Sequence, residues 1–245
     1  MEAFFADWAA VFSGGFTMVG NYQERLLEGA KLTLLLALSS LGVSLLAGMV
    51  ACAAKMSRHR LLRGAATAYT TVVRGVPDLI QLFLLYYGGE YLLQKLGVKA
   101  TMSPFATGVL AIGFIFGAYM AESFRGGFLA IPKGQIEAAR AYGMAPFTVF
   151  WRISRPQMLR YALPSIGNNW LVLMKSTALV SIIQLQDIVF VAKGAATTAQ
   201  KKDIYAGFWF YGAVSLFFLL LTTVSILVLW WLKRRYSAGF VMRDA

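Results

Sequence analysis

The sequence predicts an all-α, polytopic membrane protein with five transmembrane helices. Three observations carry that prediction. Hydrophobic residues make up 58% of the 245-residue chain and charged residues 14%, too little charge to cover a soluble globule. Apolar runs of about 20 residues or more, enough to cross a bilayer, recur along it. Bases cluster beside those runs: Lys55, Arg58, Arg60 and Arg63, then Arg152, Arg155 and Arg160, then Lys233, Arg234 and Arg235. That distribution turns the net charge of +12 into a positive-inside signal rather than a nucleic-acid surface.

Residues 1 to 22 are aromatic and Gly-rich, with Trp8, Phe12, Phe16 and Tyr22, and are too interrupted to span. An interfacial amphipathic segment is expected there. Glu2 and Asp7 stand where a cleaved signal peptide would carry bases. The first span covers about Leu26 to Ala54, with Lys31 near enough to its end to snorkel. The second covers about Leu61 to Leu93 and holds Arg74-Gly75-Val76-Pro77-Asp78 in its middle. Pro77 removes a backbone donor and should kink it. Arg74 and Asp78, four apart, can meet on one helix face. They read either as a self-neutralising pair or as a polar patch on a translocation path.

Tyr91 to Ser103 reads as an external loop, and the third span as about Pro104 to Phe124. Gly113 and Gly117 there match the small-xxx-small pattern of close helix contact. Glu122 and Arg125, three apart near its inner end, form a possible ion pair. A central cytoplasmic loop is expected from about Gly126 to Arg160. The fourth span, about Tyr161 to Ile188, carries Pro164, Gly167, Asn168, Asn169, Lys175, Ser176 and Thr177. It is too polar to face lipid all round, so the bundle should bury it. Val191 to Tyr205 is expected outside, and the fifth span covers about Gly207 to Leu232. The outer loops hold Lys95, Lys99, Lys193, Lys201 and Lys202, against fourteen bases in the proposed inner segments, Arg243 included. That asymmetry puts the N-terminus outside and the C-terminus in the cytoplasm.

The inventory excludes several chemistries. No Walker-type phosphate loop is present, so ATP hydrolysis is not expected on this chain. A single Cys52 in an apolar run and a single His59 in a basic loop leave no disulfide framework, thiolate metal site or nucleophilic triad. Among the acids, Asp78 and Glu122 are the ones expected inside spans and away from the external loops. With Arg74, Asn168, Asn169, Lys175, Ser176 and Thr177 they form the candidate substrate path.

The central loop holds the most informative stretch. Glu137-Ala138-Ala139 should begin a helix of good formers, which Gly143 and Pro146 stop. A second helical run, Phe147 to Ile153, should follow and be closed by Pro156. This segment resembles the cytoplasmic signature of binding-protein-dependent ABC permeases: Glu-Ala-Ala, three residues, Gly, nine residues, Ile-x-Leu-Pro. Glu137, Ala138, Ala139, Gly143, Ile153 and Pro156 fall in register, and Arg155 stands where Leu is usual. Arg74-Gly75-Val76-Pro77-Asp78-Leu79, Gly167-Asn168-Asn169-Trp170 and Lys175-Ser176-Thr177-Ala178-Leu179-Val180-Ser181 also look like the amino-acid branch. Within it they resemble Q-type subunits for histidine, lysine, arginine, ornithine and the opines octopine and nopaline.

The resemblance implies a five-span type I importer permease of the bacterial inner membrane, paired as a heterodimer with a similar M-type subunit. It implies an ABC ATPase dimer carrying ATP and Mg below, and a periplasmic or lipid-anchored binding protein above. The signature residues would couple to the ATPase. Substrate would move inward by alternating access, and a basic amino acid is expected. Two other classes fit the composition: an ion-coupled secondary amino-acid carrier without an ATPase partner, and a channel or structural membrane subunit.

Overall fold

The computed structural model describes residues 13–97, 102–201 and 203–237. Residues 1–12 of the expected interfacial segment, with Trp8, lie outside them, as do Lys99, Lys202 and Arg243. The described chain is helical throughout: α1 (13–20), α2 (Gln23–Lys55), α3 (Arg60–Gly75), α4 (Asp78–Lys95), α5 (Pro104–Leu129) and α6 (Lys133–Ala141). α7 (Pro146–Val149) runs through a π-helical turn, Phe150–Ser154, into α8 (Arg155–Ser176) and a 3₁₀ segment, Thr177–Ile183. α9 (Ile188–Ala199) and α10 (Ala206–Ser237) complete it.

α2 and α5 form the centre. The approach is close because small residues face it. A Cβ on Gly113 would lie 2.5 Å from Val43 Cγ1, and one on Gly117 would lie 2.8 Å from both Ala47 Cβ and the Tyr69 hydroxyl. The small-xxx-small reading of α5 therefore holds, and α3 joins the seam through Tyr69. Around it, Leu36, Ile115, Phe116, Leu173 and Val180 pack as a middle core. Leu26, Ile188, Ala192 and Phe210 form a second cluster between α2, α9 and α10. Cys52, Met120, Phe124, Ile131 and Met158 form a third at the opposite end of α2. α10 is the exception, with 11% of its most apolar stretch buried within the chain. Its free faces suit lipid or another subunit.

Among the described residues, four helical stretches are long and apolar enough to cross a membrane: Gln23–Lys55, Pro104–Leu129, Pro146–Ile183 and Ala206–Tyr236. The remaining expected span, Leu61 to Leu93, is not one kinked helix. It is α3 and α4, separated at Val76 and Pro77. Val76 is extended, with φ −106° and ψ 137°, as the residue before a proline tends to be. The backbone has left the helix rather than bent within it.

The inner loop also differs from expectation. α6 begins at Lys133, a turn before Glu137, because Pro132 supplies an extended entry residue. Pro156 does not close the second run. It sits in the first turn of α8, and the helix runs on from Pro146. A proline is tolerated there because the π-helical turn just before it, in which the Arg155 N–H reaches back five residues to the Phe150 carbonyl, has already broken the regular i→i−4 ladder. The non-helical part of the loop shrinks to 130–132 and 142–145. On the far side, the expected loop from Val191 to Tyr205 is largely α9.

Candidate functional site

Two constellations emerge, one at the inner loop and one along α8. At the loop, α6 ends in a Schellman motif. Gly143 has φ +76°, its N–H donates to the Arg140 carbonyl at 2.9 Å, and the Met144 N–H donates to the Ala139 carbonyl at 3.1 Å. No atom lies within 4 Å of where a Gly143 Cβ would be, so the requirement for glycine is conformational rather than steric. Ile131 and Ile136 hold the loop against the inner cluster, and Gln157 Nε2 donates to Gln135 Oε1 at 2.5 Å, fastening α6 to α8. The opposite side is bare. Tyr142 is 90% and Phe147 73% exposed, with Glu137 and Ala138 exposed beside them and Ala139 buried. Ile153 is half-buried in the π turn and Pro156 is exposed. The result is a short rigid rod with an apolar tip.

The second constellation follows one face of α8. Ser165, Asn169 and Ser176 fall within about 40° of one another at 100° per residue and span about 16 Å of helix. Asn169 Nδ2 donates to Ser123 Oγ of α5 at 2.9 Å, and Ser123 Oγ lies 2.7 Å from Ser165 Oγ. Ser176 Oγ donates to Asp78 Oδ2 at 3.4 Å, joining the stripe to the first turn of α4.

Asp78 does not pair with Arg74. The break at Val76–Pro77 sends them onto different helices, and the Arg74 guanidinium lies over the Tyr119 ring, 5.4 Å from its centroid. Gln81 is fully engaged at the break: its Nε2 donates to the Val73 and Val76 carbonyls, both at 2.8 Å. Those are acceptors that the interrupted helix leaves free.

Glu122 does pair with Arg125, whose Nε donates at 2.9 Å, and it also binds Lys55 Nζ. Lys55 donates in turn to Thr70 Oγ1 at 2.7 Å, so one carboxylate links α5 to the C-terminal end of α2 and, through Lys55, to α3. Sequence reading left Lys55 among the loop bases. It is the last residue of α2, and its side chain is 11% exposed rather than solvated.

The other candidates disperse. Asn168 turns to a cavity of about 330 Å³ shared with Gly167, Leu229 and Lys233, away from its neighbour Asn169. Lys175 is exposed, and Thr177 is buried with its hydroxyl on the Met174 carbonyl at 2.7 Å. Asp187 was missed. It lies at the end of the fourth expected span, is 0% exposed, and caps α9 by accepting the Phe190 N–H at 2.9 Å. An Asp directly before the apolar run Ile188–Val191 is the N-cap signal that could have found it. It follows Gln184, whose φ of 66° marks the turn out of the 3₁₀ segment.

A bundle with helices long and apolar enough to cross a membrane, a rod fastened at one end and a polar helix face suits a transport component. Residues 41–238 match the family described as binding-protein-dependent transport system inner membrane component, and the chain belongs to it. It is 43% identical over 232 residues to the histidine/lysine/arginine/ornithine transport system permease protein HisQ of Escherichia coli (strain K12). That similarity covers 93% of this chain and all of HisQ. It is 38% identical to the octopine transport system permease protein OccQ of Rhizobium radiobacter, over 82% of this chain and 85% of that one. A crystal structure of an amino acid ABC transporter with histidines superposes with a TM-score of 0.77 at 30% identity, covering 90% of this chain and 98% of the other. Family membership favours the multi-pass inner-membrane permease over the ion-coupled carrier and the channel.

Proposed function

We propose that this chain is the Q-type permease subunit of an ABC importer for basic amino acids such as arginine, lysine, histidine or ornithine. It works with an M-type permease, an ABC ATPase dimer that binds ATP and Mg, and a substrate-binding protein. Its N-terminus is outside and its C-terminus in the cytoplasm. The observation that carries the reading is the Gly143-terminated rod, with its apolar tip free and its other side fastened to the spans. The likeness to HisQ supports the substrate class.

The mechanism follows from that mounting. Tyr142 and Phe147 bury in a groove of the ATPase, with Glu137, Ala138 and Ala139 forming the rod behind them. Closure of the ATPase on nucleotide moves α6 as a rigid body. Ile136 and the Gln135–Gln157 hydrogen bond pass the movement to α5 and α8. These helices carry Ser123, Ser165, Asn169 and Ser176, so displacement changes the access of the polar stripe. A cationic side chain in a membrane needs anionic or polar partners, since an unpaired charge there is costly. Asp78 supplies the carboxylate and lies beside the helix break. Without a partner in Arg74, it is available to an ammonium or guanidinium.

The test is uptake by proteoliposomes holding the assembled complex. Arginine and lysine should be imported in a manner requiring both ATP and binding protein. Import independent of ATP but driven by an ion gradient would sink the reading.

A further inference from the structure

Behind the rod, apart from the polar stripe of α8, the bundle holds an apolar cavity of about 710 Å³. Met49 and Cys52 of α2, with Met56 at its C-cap, form one wall, and Phe124 and Phe128 of α5 another. Trp151, in the π turn, helps to close it. The size is that of a small-molecule site. Arg155 alone is charged among the described lining residues, and its guanidinium stacks on the Trp151 ring at 4.5 Å from the centroid. It is exposed, so the head can meet water while the stem follows the apolar wall.

The charges around this mouth are mostly positive. Arg152 is exposed in the same turn, and Met56 leads into a short loop with exposed Arg58, followed by exposed Arg60 at the start of α3. Two acids are near: Glu122, already bound by Lys55 and Arg125, and Glu137, exposed beside the lining residue Ile136. A greasy cavity with a basic rim suits a molecule with an apolar tail and an anionic head.

We infer that this cavity is a binding site for an anionic phospholipid of the inner leaflet, with an acyl chain between α2, α5 and the π turn and its phosphate on Arg155. The lipid lies against Ile131 and Ile136, so it fills the space behind the coupling rod. Arg155 is the position where the loop signature usually carries leucine. Here it adds a headgroup contact at the edge of an apolar wall.

The assembled transporter, purified in mild detergent, should be titrated with phosphatidylglycerol and with phosphatidylcholine, and retained lipid counted by native mass spectrometry. The wild-type complex should retain phosphatidylglycerol with about fivefold preference, the scale of one basic residue at an anionic lipid surface. Arg155→Leu should abolish the preference while still admitting either lipid. Ala53→Phe, at an exposed lining position, should narrow the cavity and lower retention of both; Ala53→Ser should leave retention unchanged and controls for assembly. Equal retention of the two lipids by the wild type would overturn the proposal. So would a preference that survives Arg155→Leu, retention that survives Ala53→Phe, or a complex with a partner segment in the cavity and no retained lipid.

Discussion

The inner loop and the Val76–Pro77 break are both places where a helix stops, yet the stops are finished differently. At the loop, Gly143 and Met144 cap α6 through main-chain hydrogen bonds alone, and the carbonyls that accept them lie three and five residues back. At the break, the freed carbonyls of Val73 and Val76 are reached by a side chain, Gln81, from the next helix. The adjoining Asp78 meets Ser176, 98 residues away. One stop is self-contained and stiff. The other depends on side chains from separate elements, so it can be re-made when those elements move. A transporter needs both kinds: a lever that keeps its shape and a path that does not.

Breaking the stiff stop should have the largest effect. Gly143→Val puts a β-branched residue at φ +76°, at a cost of about 1–2 kcal/mol for the left-handed backbone alone. The variant should insert and assemble, but binding-protein-stimulated ATPase activity should fall by about tenfold or more. Gly143→Asn, which tolerates that conformation, should keep most of it. Wild-type stimulation in Gly143→Val would remove the lever from the account.

The adaptable stop is tested first through its charge. Asp78→Asn should reduce arginine uptake by about tenfold or more, the worth of one charged hydrogen-bond contact, and reduce glutamine uptake, if any is carried, far less. Equal loss for both substrates, with poor yield of complex, would make Asp78 structural through Ser176. The smallest effect on transport belongs to the clamp, whose loss is read in stability instead. Gln81→Leu leaves two carbonyls without their donor and should cost about 1–3 kcal/mol in the unfolding of the purified complex. An unchanged unfolding midpoint would mean that water replaces Gln81 at the break.

The same contrast explains what could be read from the sequence. The cytoplasmic signature, the Gly143 stop, the Glu122–Arg125 pair and the Gly113/Gly117 contact all depend on residues a few positions apart. Spacing alone reveals such features. Lys55 joining Glu122, Ser176 reaching Asp78 and Asn169 reaching Ser123 depend on which helices become neighbours, and no local pattern carries that. Two errors share one cause, the treatment of proline as a mark with a single meaning. Pro77 was expected to bend a helix and separates two; Pro156 was expected to end one and sits inside a helix that continues past a π turn. The restriction on Val76 and the tolerance of Pro156 behind a π turn depend on the backbone around each proline. The Arg74–Asp78 pairing failed with the helix that was to hold it.

The most direct test of the central claim, that the Gly143-terminated rod is seated in the ATPase, is a cross-link from its tip. Cys52 is the only cysteine, so Cys52→Ser gives a clean background for Tyr142→Cys at a 90% exposed position. A short thiol-to-amine cross-linker applied to the assembled complex should join Tyr142→Cys to the ATPase subunit. The yield should change between nucleotide-free and ATP-bound states. Efficient cross-linking to the binding protein, or none to the ATPase in a complex that still hydrolyses ATP and transports, would contradict the account.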